Sequence, residues 1–473
     1  MKDLTQASIY RTIIAMAAPV AAGMLFQSMY VLVDLYFVAA IGDAAVAGVG
    51  AAGTIFFMIM AISQVLGVSS VALISQAVGR KDQAHANLIF NQSMVLAGFC
   101  TLFTLFTGYT LAESYMGNIA AGEAQSEGVI FLYWFLPGMA MQFAIVGMGS
   151  ALRATGIVKP TMMIQVITIL LNTILAPVLI AGWGPGPALG VMGAGLATTI
   201  SSFVGVIMLV TYFIKLEKYV SFQSALWKPR LAIWGKMLNI GLPAGGEMLL
   251  MFGYFAMVYW LIQDFGETAQ AGFSIGGRIM QSIFMPTMAI AFAVGPIVGQ
   301  NYGAGHGERV KETWLKGIIL SAIVMGLFTL LLIIHPELLV AFFTDEADVI
   351  VYGGDFLQII AWNFVAQGII FTCSGVFQGL GNTRPAMLSS STRLLIFIPL
   401  AIWFSNREGF TINQVWYVSV LSVTVQAVIS ILLVLREFKL KLPNLQQTPE
   451  LAMAQEEGMQ ETGGRMQEEK FSP

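Results

Sequence analysis

The chain has 473 residues, a formal net charge of −3, and a composition that is 57% hydrophobic and only 10% charged. Soluble domains carry roughly 25% charged residues, so a soluble globular protein is excluded. Long apolar segments recur from end to end and indicate a polytopic helical membrane protein, while a β-barrel would show short alternating segments instead.

The N-terminus, MKDLTQASIYRT, leads straight into a full-length apolar span, and no cleavable signal peptide is apparent. That first span, at about 13–38, contains QSMYVLVD, residues 27–34. Gln27, Tyr30 and Asp34 are spaced by three, four and seven residues, which places them on one helix face. An ionised carboxylate there costs about 2.5–3.5 kcal/mol unless water, a cation or a partner meets it. Pro19, two turns before Gln27, removes a backbone hydrogen bond and is the candidate hinge. The first helix therefore carries a polar stripe that ends in one titratable group.

Eleven more spans follow, at about 48–76, 92–112, 129–150, 161–182, 190–214, 237–262, 272–299, 316–341, 350–376, 386–405 and 413–435. An even count puts both termini on one side. With the N-terminus cytoplasmic, nearly all Lys and Arg outside the spans lie inside, and the opposite loops hold one basic residue, Arg407. The expected organisation is an N-terminal six-helix lobe (1–214), a basic cytoplasmic interlobe loop (215–236), a C-terminal six-helix lobe (237–440) and a disordered, Gln/Glu-rich cytoplasmic tail (441–473). Cys100 and Cys373 both fall in apolar spans and form no disulfide framework.

The halves repeat. At a shift of 224, Pro19 falls on Pro243, Tyr30 on Tyr254, Gly42 on Gly266, Gly48 on Gly272, Gln76 on Gln300 and Gly79 on Gly303. At a shift of 225, LRATGIVKP (152–160) falls on FQGLGNTRP (377–385), and Gln142 on Gln367. Each half holds an even number of spans, so the lobes run in the same direction around an axis along the membrane normal, with a cleft between them. That architecture suits alternating access. The three histidines, His85, His306 and His335, lie in loops or at a span edge, and no P-loop is present, so neither an enzyme nor an ATP-driven pump is expected.

Five charges fall within spans: Asp34, Glu247, Arg278, Asp355 and Arg393. Asp34 is the first candidate for contact with substrate and coupling ion. Glu247 shares a helix face with Met251 and Tyr254, and these three, with Tyr30, Asp355 and Gln367, complete the candidate substrate site. Ion pairs or interface anchors are the plainer roles for Glu247, Arg278, Asp355 and Arg393. Flexible thioethers and aromatic faces suit varied flat or cationic ligands.

The pattern APVAAGMLFQSMYVLVDLYFVAAIGDAAVAGVG in the first span, the loop SQAVGRKD, LRATGIVKP with its counterpart FQGLGNTRP, LNTILAPVLI in span five and GVMGAGLATT opening span six resemble the multidrug and toxic compound extrusion (MATE) family over about 10–440. The resemblance implies an all-α, V-shaped bundle of twelve transmembrane helices in two homologous six-helix lobes. It implies a secondary antiporter of the bacterial inner membrane that exports organic cations and drugs in exchange for H⁺ or Na⁺, without a cofactor and as a monomer. It places the cation-coupling site at Asp34, Gln27, Asn172 and Thr198, with Asp34 and Asn172 as metal ligands only if Na⁺ is the coupling ion. Members with the pattern N-x-x-L-D-P carry a second Asp where this chain has Ala176, which favours H⁺. The alternative of the same architecture is a flippase for lipid-linked saccharides, for which Arg278 and Arg393 are the basic residues available.

Overall fold

The protein, seen in a computed structural model, is described over residues 2–183 and 186–442, with residues 28–35 described by their backbone alone. The stretch 443–473, expected as a tail, lies outside the described residues. The N-terminal lobe consists of α1 (Ile9–Ala39), α2 (Asp43–Gly79), α3 (Gln83–Ile119), α4 (Glu123–Ala154), α5 (Lys159–Ile180) and α6 (Val191–Lys215). The C-terminal lobe consists of α7 (Leu231–Ile262), α8 (Glu267–Gly303), α9 (Gly307–Ile334), the short α10 (Pro336–Ala341), α11 (Ala347–Ile360), α12 (Asn363–Gly379), α13 (Arg384–Ser405) and α14 (Ile412–Lys441).

Among the described residues, eleven helices are long and apolar enough to cross a membrane, and α11 with α12, bent by 56° at their junction, makes the twelfth span. Bilayers admit such a break only where neighbouring groups satisfy the freed backbone. Here Thr329 Oγ1, from α9, donates to the carbonyl of Ala361 in the break at 3.0 Å. The interlobe segment is shorter than the sequence suggests, because α7 begins at Leu231. It runs along α3, where Asn87, Asn91 and Gln92 each hold its backbone through side-chain amides: Ser221 N donates to Asn87 Oδ1 at 2.8 Å and Arg230 N to Gln92 Oε1 at 2.8 Å.

Glycine lets backbones approach within membrane bundles, and the repeat is built on that. A Cβ on Gly48 would meet Gly128 N at 2.8 Å, and one on Gly272 would meet Gly353 N at 2.9 Å. These two contacts, α2 on α4 and α8 on α11, are the same contact in the two lobes. A third pair joins the lobes to each other. A Cβ on Gly79 would lie 2.1 Å from the carbonyl of Gln300, and one on Gly303 would lie 2.1 Å from the carbonyl of Gln76.

This crossing of α2 and α8 lies at the end of the molecule that carries both described termini, here called the terminal end. There Gln76 Nε2 donates to Gly379 O at 2.9 Å, and its repeat mate Gln300 donates to Ala154 O at 2.7 Å. Each glutamine thus reaches into the opposite lobe. The segment before α1 adds a strap: Lys2 N donates to Thr155 O at 2.8 Å, Leu4 N to Gln300 Oε1 at 3.0 Å, and Arg309 Nη2 to Ala7 O at 2.7 Å. Ile9, Ile13, Met16 and Ala17 pack in one core with Ala289, Ala293 and Ile297 of α8. Further along, Gly241 and Gly245 of α7 lie against Val65 and Ala61 of α2, and the Phe57 and Phe252 rings meet at 4.6 Å. The lobes are therefore in contact from the terminal end to about mid-depth.

Gly79→Val and Gly303→Val each force a side chain into a backbone carbonyl of the opposite lobe. Spin labels at positions 81 and 311 are expected to show the terminal ends moved apart in both variants. An unchanged distance distribution would mean that this crossing does not set closure.

Candidate functional site

Each lobe holds a polar seam in its interior. In the N-terminal lobe, α1 and α5 both start at the terminal end and run in parallel. Gln165 Nε2 of α5 donates to Gln27 Oε1 of α1 at 3.2 Å. Asn172 lies seven residues beyond Gln165, and residue 34 lies seven beyond Gln27, so the backbone of residue 34 stands level with Asn172. The side chains of Asp34 and Tyr30 lie outside the described residues.

Asn172 is buried, and its Nδ2 donates to Thr198 Oγ1 of α6 at 3.2 Å. Asn172 Oδ1 is buried with no partner among the described residues, as is Ser201 Oγ one turn beyond Thr198. Buried acceptors without donors are rare and costly, and these two carbonyl and hydroxyl oxygens lie near the level of the backbone of residue 34. The structure thus brings Asn172 and Thr198 into contact and sets Gln27 one step along the same seam, bridged by Gln165. Sequence reasoning missed Gln165, although its i, i+7 spacing to Asn172 was a usable signal. Pro19 sits inside α1, which runs unbroken through it.

In the C-terminal lobe, the seam lies between α7, α12, α13 and α14. Glu247 Oε2 accepts from Ser374 Oγ at 3.1 Å and Oε1 from Ser390 Oγ at 3.4 Å. Gln378 Nε2 donates to Ser374 Oγ at 3.4 Å, and Gln426 Nε2 donates to Ser390 Oγ at 3.2 Å. Two turns along α7, the Tyr254 hydroxyl pairs with Ser419 Oγ at 2.6 Å, and Asn363 Nδ2 donates to the same oxygen at 3.5 Å. The Arg393 guanidinium carbon lies 3.8 Å from the centroid of the Tyr254 ring.

Tyr254, a substrate-site candidate, is 6% exposed, and its ring lies against the Arg393 guanidinium. Met251 remains 38% exposed, on the Glu247 side of the helix. Gln367 is buried in α12 between Asn363 and Ser374. Asp355 sits on α11, apart from this seam, and none of its hydrogen bonds or ion pairs is found among the described residues. The polar residues of α12 (363, 367, 374, 378) and α14 (419, 422, 426, 430) recur at one-face spacings, a signal present in the sequence but overlooked.

A two-lobed, twelve-span bundle with polar side chains between the helices of each lobe fits a multi-pass membrane transporter. The chain belongs to the MatE family, whose model matches it twice, over residues 19–178 and 243–403. It is 27% identical to "Probable multidrug resistance protein NorM" of Thermotoga maritima, over 80% of this chain and 82% of that one. It is 23% identical to "FAD transporter" of Shewanella oneidensis, over 86% and 92% of the two chains. Among solved structures, "Outward-facing conformation of a multidrug resistance MATE family transporter of the MOP superfamily" superposes with a TM-score of 0.86 at 22% identity, covering 95% of this chain and 99% of that one. A Pyrococcus furiosus transporter whose structure is described as having "reverse polarity of binding pocket" superposes equally well, with a TM-score of 0.86 at 23% identity, covering 92% and 97%.

Removing a hydroxyl from a buried carboxylate costs about 1–3 kcal/mol. Ser374→Ala is expected to lower stability by about that amount, measured by denaturant titration in mild detergent, and the loss should shrink in a Glu247→Gln background. Equal losses in both backgrounds would mean that Ser374 does not serve Glu247.

Proposed function

We propose that the protein is a secondary antiporter of the bacterial inner membrane that exports organic cations and drugs in exchange for H⁺. The observation that carries this reading is the N-terminal seam: Asn172 Oδ1 is buried with no donor among the described residues, beside Thr198, at the level of the backbone of residue 34. The relatives whose names describe multidrug resistance or export support the substrate class, and one relative is named an FAD transporter.

The basic loops put both termini in the cytoplasm, so the sealed terminal end faces inward and the cleft outward. In this outward-facing form Asp34 meets water and takes a proton. Neutralising it removes a buried charge, α1 bends near Pro19, the N-terminal seam tightens, and a bound cationic drug loses its countercharge and leaves. Return to the inward-facing form, which breaks the Gln76 and Gln300 contacts, releases the proton and reloads drug. One negative group serves drug and proton in turn. Moving one charge through 100 mV supplies about 2.3 kcal/mol.

Na⁺ is the second choice of coupling ion. Hard cations take several oxygen ligands, and the donors for it here are Asp34, Asn172 Oδ1 and Thr198. The position that carries a further carboxylate in N-x-x-L-D-P members is the fully buried Ala176. Proton coupling needs only one carboxylate.

Ethidium efflux from proteoliposomes tests this. A proton gradient alone is expected to drive efflux and a Na⁺ gradient alone is not, with Asp34→Asn inactive under both. Efflux by folded Asp34→Asn at the wild-type rate would overturn the scheme, and Na⁺-driven efflux would reassign the coupling ion. Asn172→Leu, which removes the amide but leaves Thr198 Oγ1 its bond to the Ala194 carbonyl, should fold normally yet lose about tenfold in rate.

A further inference from the structure

The C-terminal seam holds a charge that the antiport scheme does not use. Arg393 lies on α13 nine residues from one end and twelve from the other, at mid-depth. A guanidinium offers five N–H donors. Its one partner among the described residues is the Tyr254 ring, and its Nε is buried with no acceptor. Among the described residues no carboxylate lies within 4 Å of it: the ion pairs there are Lys311–Glu308, Lys316–Glu312 and Lys441–Glu437. An intramembrane arginine is costly, and a ring face compensates its charge without satisfying its donors.

Glu247 is in the opposite condition. Its carboxylate is held by the neutral hydroxyls of Ser374 and Ser390 and by no cation. The two charges share one seam: Ser390, bonded to Glu247, is one turn before Arg393 on α13, and Tyr254, stacked on Arg393, is two turns beyond Glu247 on α7. Seven residues of helix rise about 10 Å, so the charges follow each other along the seam without meeting. Two further buried acceptors lie on it unpartnered, Gln426 Oε1 beside Ser390 and Asn363 Oδ1 beside Ser419. Both charged side chains are partly exposed.

We propose that this seam is a binding site for amphoteric molecules, in which Arg393 takes the carboxylate of the ligand and Glu247 its positively charged nitrogen. Arg393 would then be the residue that admits substrates bearing an acidic group alongside the cations. The proposal rests on the exporter reading for transport but not for binding. Charge-assisted pairing of a guanidinium with a carboxylate is strong and directional, whereas a permanent monocation gains nothing from Arg393.

Rhodamine 6G, a cationic ester, and rhodamine 19, the free acid of the same dye, differ in this one group. Fluorescence polarisation with the purified full-length protein should show Arg393→Gln weakening rhodamine 19 binding about tenfold while rhodamine 6G changes by less than about twofold. Arg393→Lys, which keeps the charge, should recover part of the loss. Equal losses for both dyes in protein that melts like wild type, or no loss for the acid, would overturn the proposal. Should Arg393→Gln not fold, benzoate is expected to displace rhodamine 19 from wild type while benzamide does not, and equal displacement overturns it. Rhodamine 6G efflux reports separately on the exporter: its absence with the binding difference intact would refute transport and leave the site standing.

Discussion

The crossing of α2 over α8 is the constraint on which the rest of the molecule depends. Two helices can pass with backbone carbonyls where side chains would otherwise stand only if both carry glycine at the crossing, and Gly79 and Gly303 are those residues. Because they are repeat mates, the contact is self-complementary, like an isologous interface within one chain. Gln76 and Gln300 extend it by each bonding a carbonyl of the opposite lobe. Such hydrogen bonds are individually modest, about 0.5–1.5 kcal/mol net, which suits a seal that must open and close in every cycle.

The strap breaks this symmetry. Leu4 N bonds Gln300 Oε1, while Gln76 receives no such contact from the C-terminal lobe's own leading segment, which is bound to α3 by Asn87, Asn91 and Gln92. The interlobe segment thus holds to the side wall of the N-terminal lobe, whereas residues 2–8 bridge both lobes at the seal. Opening the terminal end requires moving them.

Much of this was legible in the sequence, for physical reasons. Bilayer thickness sets helix length, so the spans could be read from apolar runs, and the register of the repeat could be read from glycines and prolines that tolerate no substitute. What those glycines touch could not be read. The pairings of Gly48 with Gly128 and Gly79 with Gln300 depend on which helices are neighbours. The N-terminal site was partly legible, since Asn172 and Thr198 do meet, but that came through resemblance. The bend between α11 and α12 has no proline at its junction, and its stabiliser, Thr329, comes from another helix. The C-terminal seam was the least legible part, because serines and glutamines in apolar spans look like ordinary helix-facing residues until Glu247 and Arg393 are seen among them.

The two seams show how one scaffold carries two chemistries. In the repeat, Gly23 corresponds to Glu247 and Gln165 to Ser390. A Cβ on Gly23 would lie 3.0 Å from Gln165 Oε1, and Glu247 Oε1 lies 3.4 Å from Ser390 Oγ. The same inter-helix position is filled in both lobes, by a long amide facing a glycine in one and by a carboxylate facing a serine in the other. Higher in the seams the exchange runs the other way: Asn172 corresponds to Phe397, which packs on Tyr254 at 4.8 Å, and residue 34 corresponds to the fully buried Val258. Arg393 corresponds to Thr168. The acid therefore stands at the upper level in the N-terminal lobe and at the lower level in the C-terminal lobe, with a guanidinium above it. The repeat thus places equivalent positions in both lobes, and the residues at them set the charges at different depths. The C-terminal seam alone therefore carries both an acid and a guanidinium, a pairing that the equivalent positions of the N-terminal lobe, Gly23 and Thr168, do not repeat.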